Sequence, residues 1–323
     1  MKFEDPVYGE QEVEKDVIKQ LIKSQPVQRL KNIQQAGPQT YFMDKNEVTR
    51  FEHSLGVFFL LRRFDASIEE QIAGLLHDVP HTAFSHLVDF VFENEDHEYH
   101  EEFMEEIIYD SEIPDILEEH GLNVEEILDE SNFGLLERDL PALCADRIDY
   151  FLRDTTVVRE KDITHFLNHI RVENGLFVLD DKQVVEEYAL EYIKTDQELW
   201  AHPKEVAIFE LFAEVVREAF ETDELEEKDL FKTDKELYQT IQEMDNKFVQ
   251  QRLEMLKQGF EVELTEDEEG ADIISKTKGR AVDPDVITSQ ERLKVSEYSE
   301  KLREEKEKHL NQVENGYRIK IKN

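Results

Sequence analysis

The chain is poor in the residues that staple, punctuate or anchor a fold. Its 323 residues include a single cysteine, Cys144. One cysteine excludes an internal disulfide framework and any zinc site built from several thiolates. Cys144 lies in the apolar run Leu140-Pro141-Ala142-Leu143-Cys144-Ala145 and reads as a small core residue rather than a catalytic thiol. Eleven glycines and eight prolines are few for this length, while 36% of the residues are charged. Both interrupt helices, so their scarcity points to a mainly helical protein. No long apolar run is present either. Leu55 to Leu61 is broken by Gly56 and closed by Arg62-Arg63, far short of the ~20 residues that span a bilayer. The start, Met1-Lys2-Phe3-Glu4-Asp5-Pro6, offers no signal-peptide core, so a cytoplasmic location without a membrane partner is expected.

Basic residues are scarce as well. Lys and Arg number 38 against 77 Asp and Glu, a formal charge of -39. Such a surface repels phosphate backbones, so nucleic acid is disfavoured as a partner. A small anionic substrate would need a metal ion and a few well-placed cations to overcome the field locally. Against these shortages stands a 39% hydrophobic content. That is enough to fold one large domain, or one domain with an appendage.

Hydrophobic spacing predicts helices over about 11–35, 47–64, 67–77, 82–93, 98–109 and 140–154, with two short ones around Gly121 between 112 and 130. Gly37-Pro38 marks a loop, and Pro80 ends the helix before it. Ile170-Arg171-Val172-Glu173, Asn174-Gly175, Leu176-Phe177-Val178-Leu179 is a hairpin signal with Asn-Gly as its turn. Helices resume over about 182–220. A charged linker is expected over 221–235, then helices over 234–257 and 291–312 and strand signals at 260–264, 272–276 and 317–321. The expected organisation is a helical body, residues 1–222, followed by a smaller α+β appendage, residues 223–323.

Six of the eleven histidines fall in one window: His53, His77, His81, His86, His97 and His100, with Asp78 and Asp89 among them. Single histidines and helix-end carboxylates are ordinary surface groups; six imidazoles in so short a span are not. His53 lies on one predicted helix and His77-Asp78 at the end of the next, so two antiparallel helices can bring them together. Asp146 can join them from a third. Imidazole nitrogen with carboxylate oxygen is a ligand set for a divalent transition metal that leaves positions open for water and substrate.

Taken in order, Arg50-Phe51-Glu52-His53-Ser54-Leu55-Gly56-Val57, Gly74-Leu75-Leu76-His77-Asp78, His81, Phe84-Ser85-His86, His100-Glu101 and Asp146-Arg147-Ile148-Asp149-Tyr150 with Arg153-Asp154 closely resemble the HD-domain phosphohydrolases. The branch is similar to the deoxynucleoside triphosphate triphosphohydrolases. Gln28 to Gln35 and Lys278-Gly279-Arg280-Ala281-Val282-Asp283-Pro284 also resemble that branch, so the likeness runs over roughly residues 25–290.

The resemblance implies a mainly α fold, an HD-domain helical bundle with its core at about 45–160, and one divalent metal ion (Mn, Fe, Ni, Zn, Co or Mg). It implies His53, His77, Asp78 and Asp146 as ligands, and His81, His86, Asp89 and His100 as phosphate-binding or proton-handling residues. Gln35, Arg50, Arg147, Tyr150 and Asp154 would be substrate contacts. His100 fits the family better than His97, which reads as solvent-facing. Arg153 reads as a surface ion-pair residue, and His120, His165, His169 and His309 as structural or exposed. A homo-oligomer is implied too.

Two departures stand out. Pro80 replaces a small, flexible residue. Around Lys194 to Lys204, Gln197, Trp200 and Pro203 stand where the branch carries an Arg, a Tyr and a Lys, with His202 retained. The expected activity is therefore metal-dependent hydrolysis of a small-molecule phosphate ester, a nucleotide first of all. A dNTP cleaved to nucleoside and triphosphate leads; a nucleoside monophosphatase or a phosphodiesterase is the alternative within the class. Outside it stands a regulatory module that binds a nucleotide without turning it over.

Overall fold

A computed structural model describes residues 1–92, 103–288 and 292–322. The mainly helical expectation stands. The Arg50–Arg63 helix opens on a capping box: Thr49 Oγ1 accepts the Glu52 amide, and the Glu52 carboxylate accepts the Thr49 amide. The helix is buried almost all round from Arg50 to Leu61, which makes it the central rod of the body. Ser67 caps the Ile68–Leu76 helix by accepting the Glu70 amide. These two helices cross where Gly74 is tight: a Cβ there would stand 2.5 Å from Leu61 Cδ1. The close approach sets His53 beside His77. The Ala145–Val157 helix packs on the other side of the rod and brings Asp146 to the same place.

The buried apolar residues form two clusters. The first gathers Leu21, Val57, Leu75, Ile148, Phe151 and Tyr188, and the late residues Val282, Val286 and Leu302 return to it. The second gathers Ala83, Phe84, Leu87 and Val88 with Phe212, Val216, Leu253 and Ile319. The short stretch from Val79 to Ala83 thus passes from one core to the other.

Asn174-Gly175 makes the expected hairpin turn, both residues at positive φ. Asp285–Ile287 extends this hairpin in parallel to Leu176–Leu179, and Arg292–Lys294 adds the fourth strand. A second sheet orders Glu261–Leu264, Tyr317–Lys322 and Ile273–Ser275 with the last strand of the chain in the middle.

Several spans differ from the sequence expectation. The helix expected over 11–35 begins as a hairpin, Lys2–Asp5 with Gly9–Glu12, turned at Gly9 with φ 70°. Its remainder breaks at Ser24 before Pro26, giving Asp16–Lys23 and Gln25–Arg29. The helix expected over 82–93 shrinks to Leu87–Val91, because Phe84 and Ser85 take positive φ. The helix expected over 234–257 divides into Asp234–Gln242 and Lys247–Gln258, the second capped by Asn246. Among the described residues no helix is long and apolar enough to cross a membrane.

Candidate metal centre and active-site cavity

His53, His77, Asp78 and Asp146 converge. His53 Nε2 lies 2.8 Å from Asp146 Oδ1 and 3.9 Å from Asp78 Oδ2. His77 Nε2 lies 3.6 Å from Asp146 Oδ1 and 3.5 Å from Asp78 Oδ1. Both imidazoles are anchored through their other nitrogen. His77 Nδ1 donates to the Gly74 carbonyl at 2.8 Å, and His53 Nδ1 donates to Asp149 Oδ2 at 2.7 Å. Each anchor fixes the ring so that Nε2 faces the carboxylates, the arrangement metal-binding histidines adopt. His77 Nε2 is buried without a hydrogen-bond partner among the described residues. An inward-facing lone pair with carboxylate oxygens around it fits a divalent cation.

Electrostatics support the same fit. Burial disfavours a charged His53, but Asp146 and Asp149 outweigh it and hold the imidazole at about 10. Asp78 would also resist ionising when buried, yet Arg50 and the neighbouring histidines keep it well below the usual carboxylate range.

Asp149 is the residue that reasoning from sequence passed over. It accepts Arg153 Nε at 2.9 Å and Nη2 at 3.0 Å, and Arg153 Nη2 also pairs with Asp5 Oδ2 at 3.0 Å. Arg153 is 1% exposed, so the surface ion pair expected for it is corrected. It is the buried link between the N-terminal hairpin and the His53 anchor. The signal was present in the spacing: Asp149 and Arg153 follow Asp146 at one and two helical turns. Asp5, far off in sequence, gave none.

A cavity of about 1100 Å³ opens from the four residues. Of the expected substrate contacts, Gln35, Arg50, Arg147, Tyr150 and Asp154 all line it, as do His81 and His86. Their engagements differ. Arg50 donates to both oxygens of Asp78 at 3.1 and 3.2 Å and to Ser85 Oγ at 2.9 Å. Arg147 is turned to the Arg138 and Ala142 carbonyls and to Glu137. Gln35 Oε1 is buried with no partner among the described residues. Tyr150 and Tyr192 share a hydroxyl–hydroxyl hydrogen bond. Asp154 accepts Trp200 Nε1 at 2.7 Å, and burial nevertheless raises its carboxyl above the ordinary value. Trp200 stands edge-on to Tyr150 on the same wall, whereas Gln197 and Pro203 do not line the cavity.

His81 Nε2 lies 3.2 Å from Asp78 Oδ1, and the His81 and His86 rings meet edge to face at 5.2 Å. His86 Nδ1 lies 3.1 Å from Asp89 Oδ2, and Asp89 is buried. His86 precedes the Leu87–Val91 helix but makes no capping bond to it. His97 and His100 lie outside the described residues. Cys144 is fully buried, and burial first, then the nearby Glu137 carboxylate, pushes its thiol up, in keeping with a core residue. His309 is buried against Asp196 at 2.6 Å. Three lining cations carry no role from the sequence reading: Arg138, Lys278 and Arg280.

The HD domain family matches residues 50–154, the stretch that carries all four convergent residues. An uncharacterized protein of Bacillus subtilis strain 168, YdhJ, is 40% identical over 99% of both chains. The metal-dependent phosphohydrolase cns2 of Cordyceps militaris is 33% identical over 87% of this chain and 84% of its own. A solved structure described as a phosphohydrolase from Bacteroides thetaiotaomicron shares the fold with a TM-score of 0.74. It covers 100% of this chain and 99% of its own at 17% identity.

Proposed function

The chain belongs to the HD-domain metal-dependent phosphohydrolases, and from that premise we propose that it hydrolyses a deoxynucleoside triphosphate to the nucleoside and inorganic triphosphate. The observation that carries this reading is the pairing of one convergent His/Asp quartet with a nucleotide-sized cavity. In a chain of net charge -39, that cavity is lined by Arg138, Lys278 and Arg280 as well as Arg50 and Arg147.

In this reading His53, His77, Asp78 and Asp146 hold one divalent ion. When bound, such an ion supplies Lewis acidity, polarising the phosphoryl group and making water a stronger nucleophile. Water oxygen joins the α-phosphorus and releases a proton to solvent, the bond to the sugar 5′-oxygen breaks, and that oxygen takes up a proton from an acidic side chain that solvent then re-protonates. His86, whose Nδ1 lies 3.1 Å from the buried Asp89 carboxylate, is placed to give that proton; His100 is the second candidate from the same group. His81, next to Asp78, faces the phosphate. Arg50 and Arg147 offset the charge that grows on the phosphoryl oxygens. Gln35 offers an acceptor for the sugar or base, Asp154 faces the sugar, and Tyr150 with Trp200 forms the wall against which the nucleoside lies.

The test is a panel. The purified protein, supplied in turn with Mn, Mg, Co, Ni or Zn, is incubated with deoxynucleoside tri- and monophosphates and with a phosphodiester. The expected products are a deoxynucleoside and intact triphosphate. Phosphate released from monophosphates alone would move the assignment to a phosphomonoesterase. Saturable nucleotide binding without product under every metal would sink the hydrolase reading.

A further inference from the structure

The loop that carries His81, Ser85 and His86 is held from outside the family-matched residues. Asp234, the first residue of the Asp234–Gln242 helix, is 1% exposed and turns its carboxylate inward. Its Oδ1 accepts the Phe84 amide at 2.6 Å, and its Oδ2 accepts the Gln34 amide at 2.8 Å. Phe84 and Ser85 sit at φ 60° and 53°, the left-handed region that side chains rarely adopt, so this turn needs an external partner to persist.

Four more bonds fasten the same loop to the same place. The Ala83 amide donates to the Leu230 carbonyl at 2.7 Å. Arg29 donates to the Val79 and His81 carbonyls at 2.9 and 2.5 Å and to the Phe231 carbonyl at 3.3 Å. Ser85 then passes the constraint inward. Its Oγ donates to the Gln34 carbonyl at 2.6 Å and accepts Arg50 Nε at 2.9 Å, while Arg50 holds Asp78.

We propose that Asp234 is a positioning residue for the active site: by bonding the Phe84 and Gln34 amides at once it sets the Phe84–Ser85 turn, and through Ser85 it aims Arg50. Rigid placement by a supporting shell is what keeps a catalytic constellation within its working geometry. A carboxylate suits the task because it offers two acceptor oxygens; an amide at this position would set an N–H2 against one of the backbone N–H groups. The inference rests on the site assignment above but not on the identity of the nucleotide.

A double-mutant cycle tests it. Asp234→Asn, Ser85→Ala and the double variant are compared with the wild type, each loaded with metal. Two quantities are read: kcat/KM for the best substrate of the panel and calorimetric affinity for inorganic tripolyphosphate. Each single change is expected to lower both by about tenfold, the size of one hydrogen bond to a charged group. If the two residues act in series, the double variant falls less than twofold below Ser85→Ala. Effects that multiply would mean Asp234 serves the fold alone and would overturn the proposal, as would a folded Asp234→Asn with wild-type values. Should Asp234→Asn not fold, Asp234→Glu keeps the carboxylate but moves its oxygens; it is expected to lower both quantities and to add less than twofold to Ser85→Ala, and effects that multiply would contradict the proposal. If the wild type cleaves nothing, the hydrolase reading fails, while the tripolyphosphate cycle still decides this one.

Discussion

In the proposed reading the cavity lining has a metal end, the His/Asp quartet, and a cationic end, represented by Arg280, and the two are held on different plans. At the metal end every functional group has a buried partner. His53 is fixed by Asp149, His77 by Gly74, Asp78 by Arg50, Asp149 in turn by Arg153, and Arg153 by Asp5. Arg280, at the cationic end, is looser. Its side chain is 22% exposed, and among the described residues its guanidinium makes a 3.4 Å contact with the Lys278 carbonyl and a 3.9 Å approach to Asp196. What is pinned there is the backbone, through the Arg280 amide donated to the buried Asp196 at 2.7 Å. On the roles proposed above, the molecule fixes the groups assigned to chemistry and leaves adjustable those assigned to the rest of the substrate.

The strongest way to break that contrast is to disturb the packing behind the metal end. A Cβ at Gly56 would stand 2.0 Å from Asp149 Oδ1 and 2.1 Å from Arg153 Nη2, and neither side chain can yield without breaking a buried ion pair. Gly56→Ala is expected to cost about 3–5 kcal/mol, the range for breaking such pairs, and to abolish metal retention. Chemical denaturation and metal analysis check it; a stability unchanged within error would show the shell to be soft. A milder probe is Asp149→Asn, which keeps the shape and removes the charge beside His53 Nδ1. It is expected to weaken metal affinity roughly 10–100-fold, read by calorimetry.

At the cationic end the expected effect is smaller and of another kind. Arg280→Ala should raise KM for a nucleoside triphosphate about tenfold with kcat and metal affinity held, the loss of one charge-assisted contact. Steady-state kinetics checks it. A fall in kcat with KM unchanged would place Arg280 with the fixed groups and erase the contrast.

The same contrast governs what could be read from the sequence. The four convergent residues were legible because three local motifs place them on the Arg50–Arg63 helix, just past the end of the Ile68–Leu76 helix and in the first turn of the Ala145–Val157 helix. The helical class and the Asn174-Gly175 turn were legible because each rests on spacing of a few residues. Asp149 was half legible, in step with Asp146 but masked by a pattern that ranks the ligand above its support. Asp5 and Asp234 were not legible as supports of the proposed site, because they reach it from distant segments whose placement only tertiary packing decides; Arg280 lies in a segment whose likeness to the branch gave it no role. The N-terminal hairpin was hidden for a similar reason. Its strands are four residues each, and they take their place from one turn at Gly9 and from Asp5 meeting Arg153.

The central claim is that His53, His77, Asp78 and Asp146 hold the ion on which hydrolysis depends. Its most direct test is metal analysis and product release on the wild type beside Asp78→Ala and Asp146→Ala, all shown folded by circular dichroism. The wild type is expected to carry an ion and to release intact triphosphate, and the variants to do neither. A metal-free variant hydrolysing at the wild-type rate would contradict it.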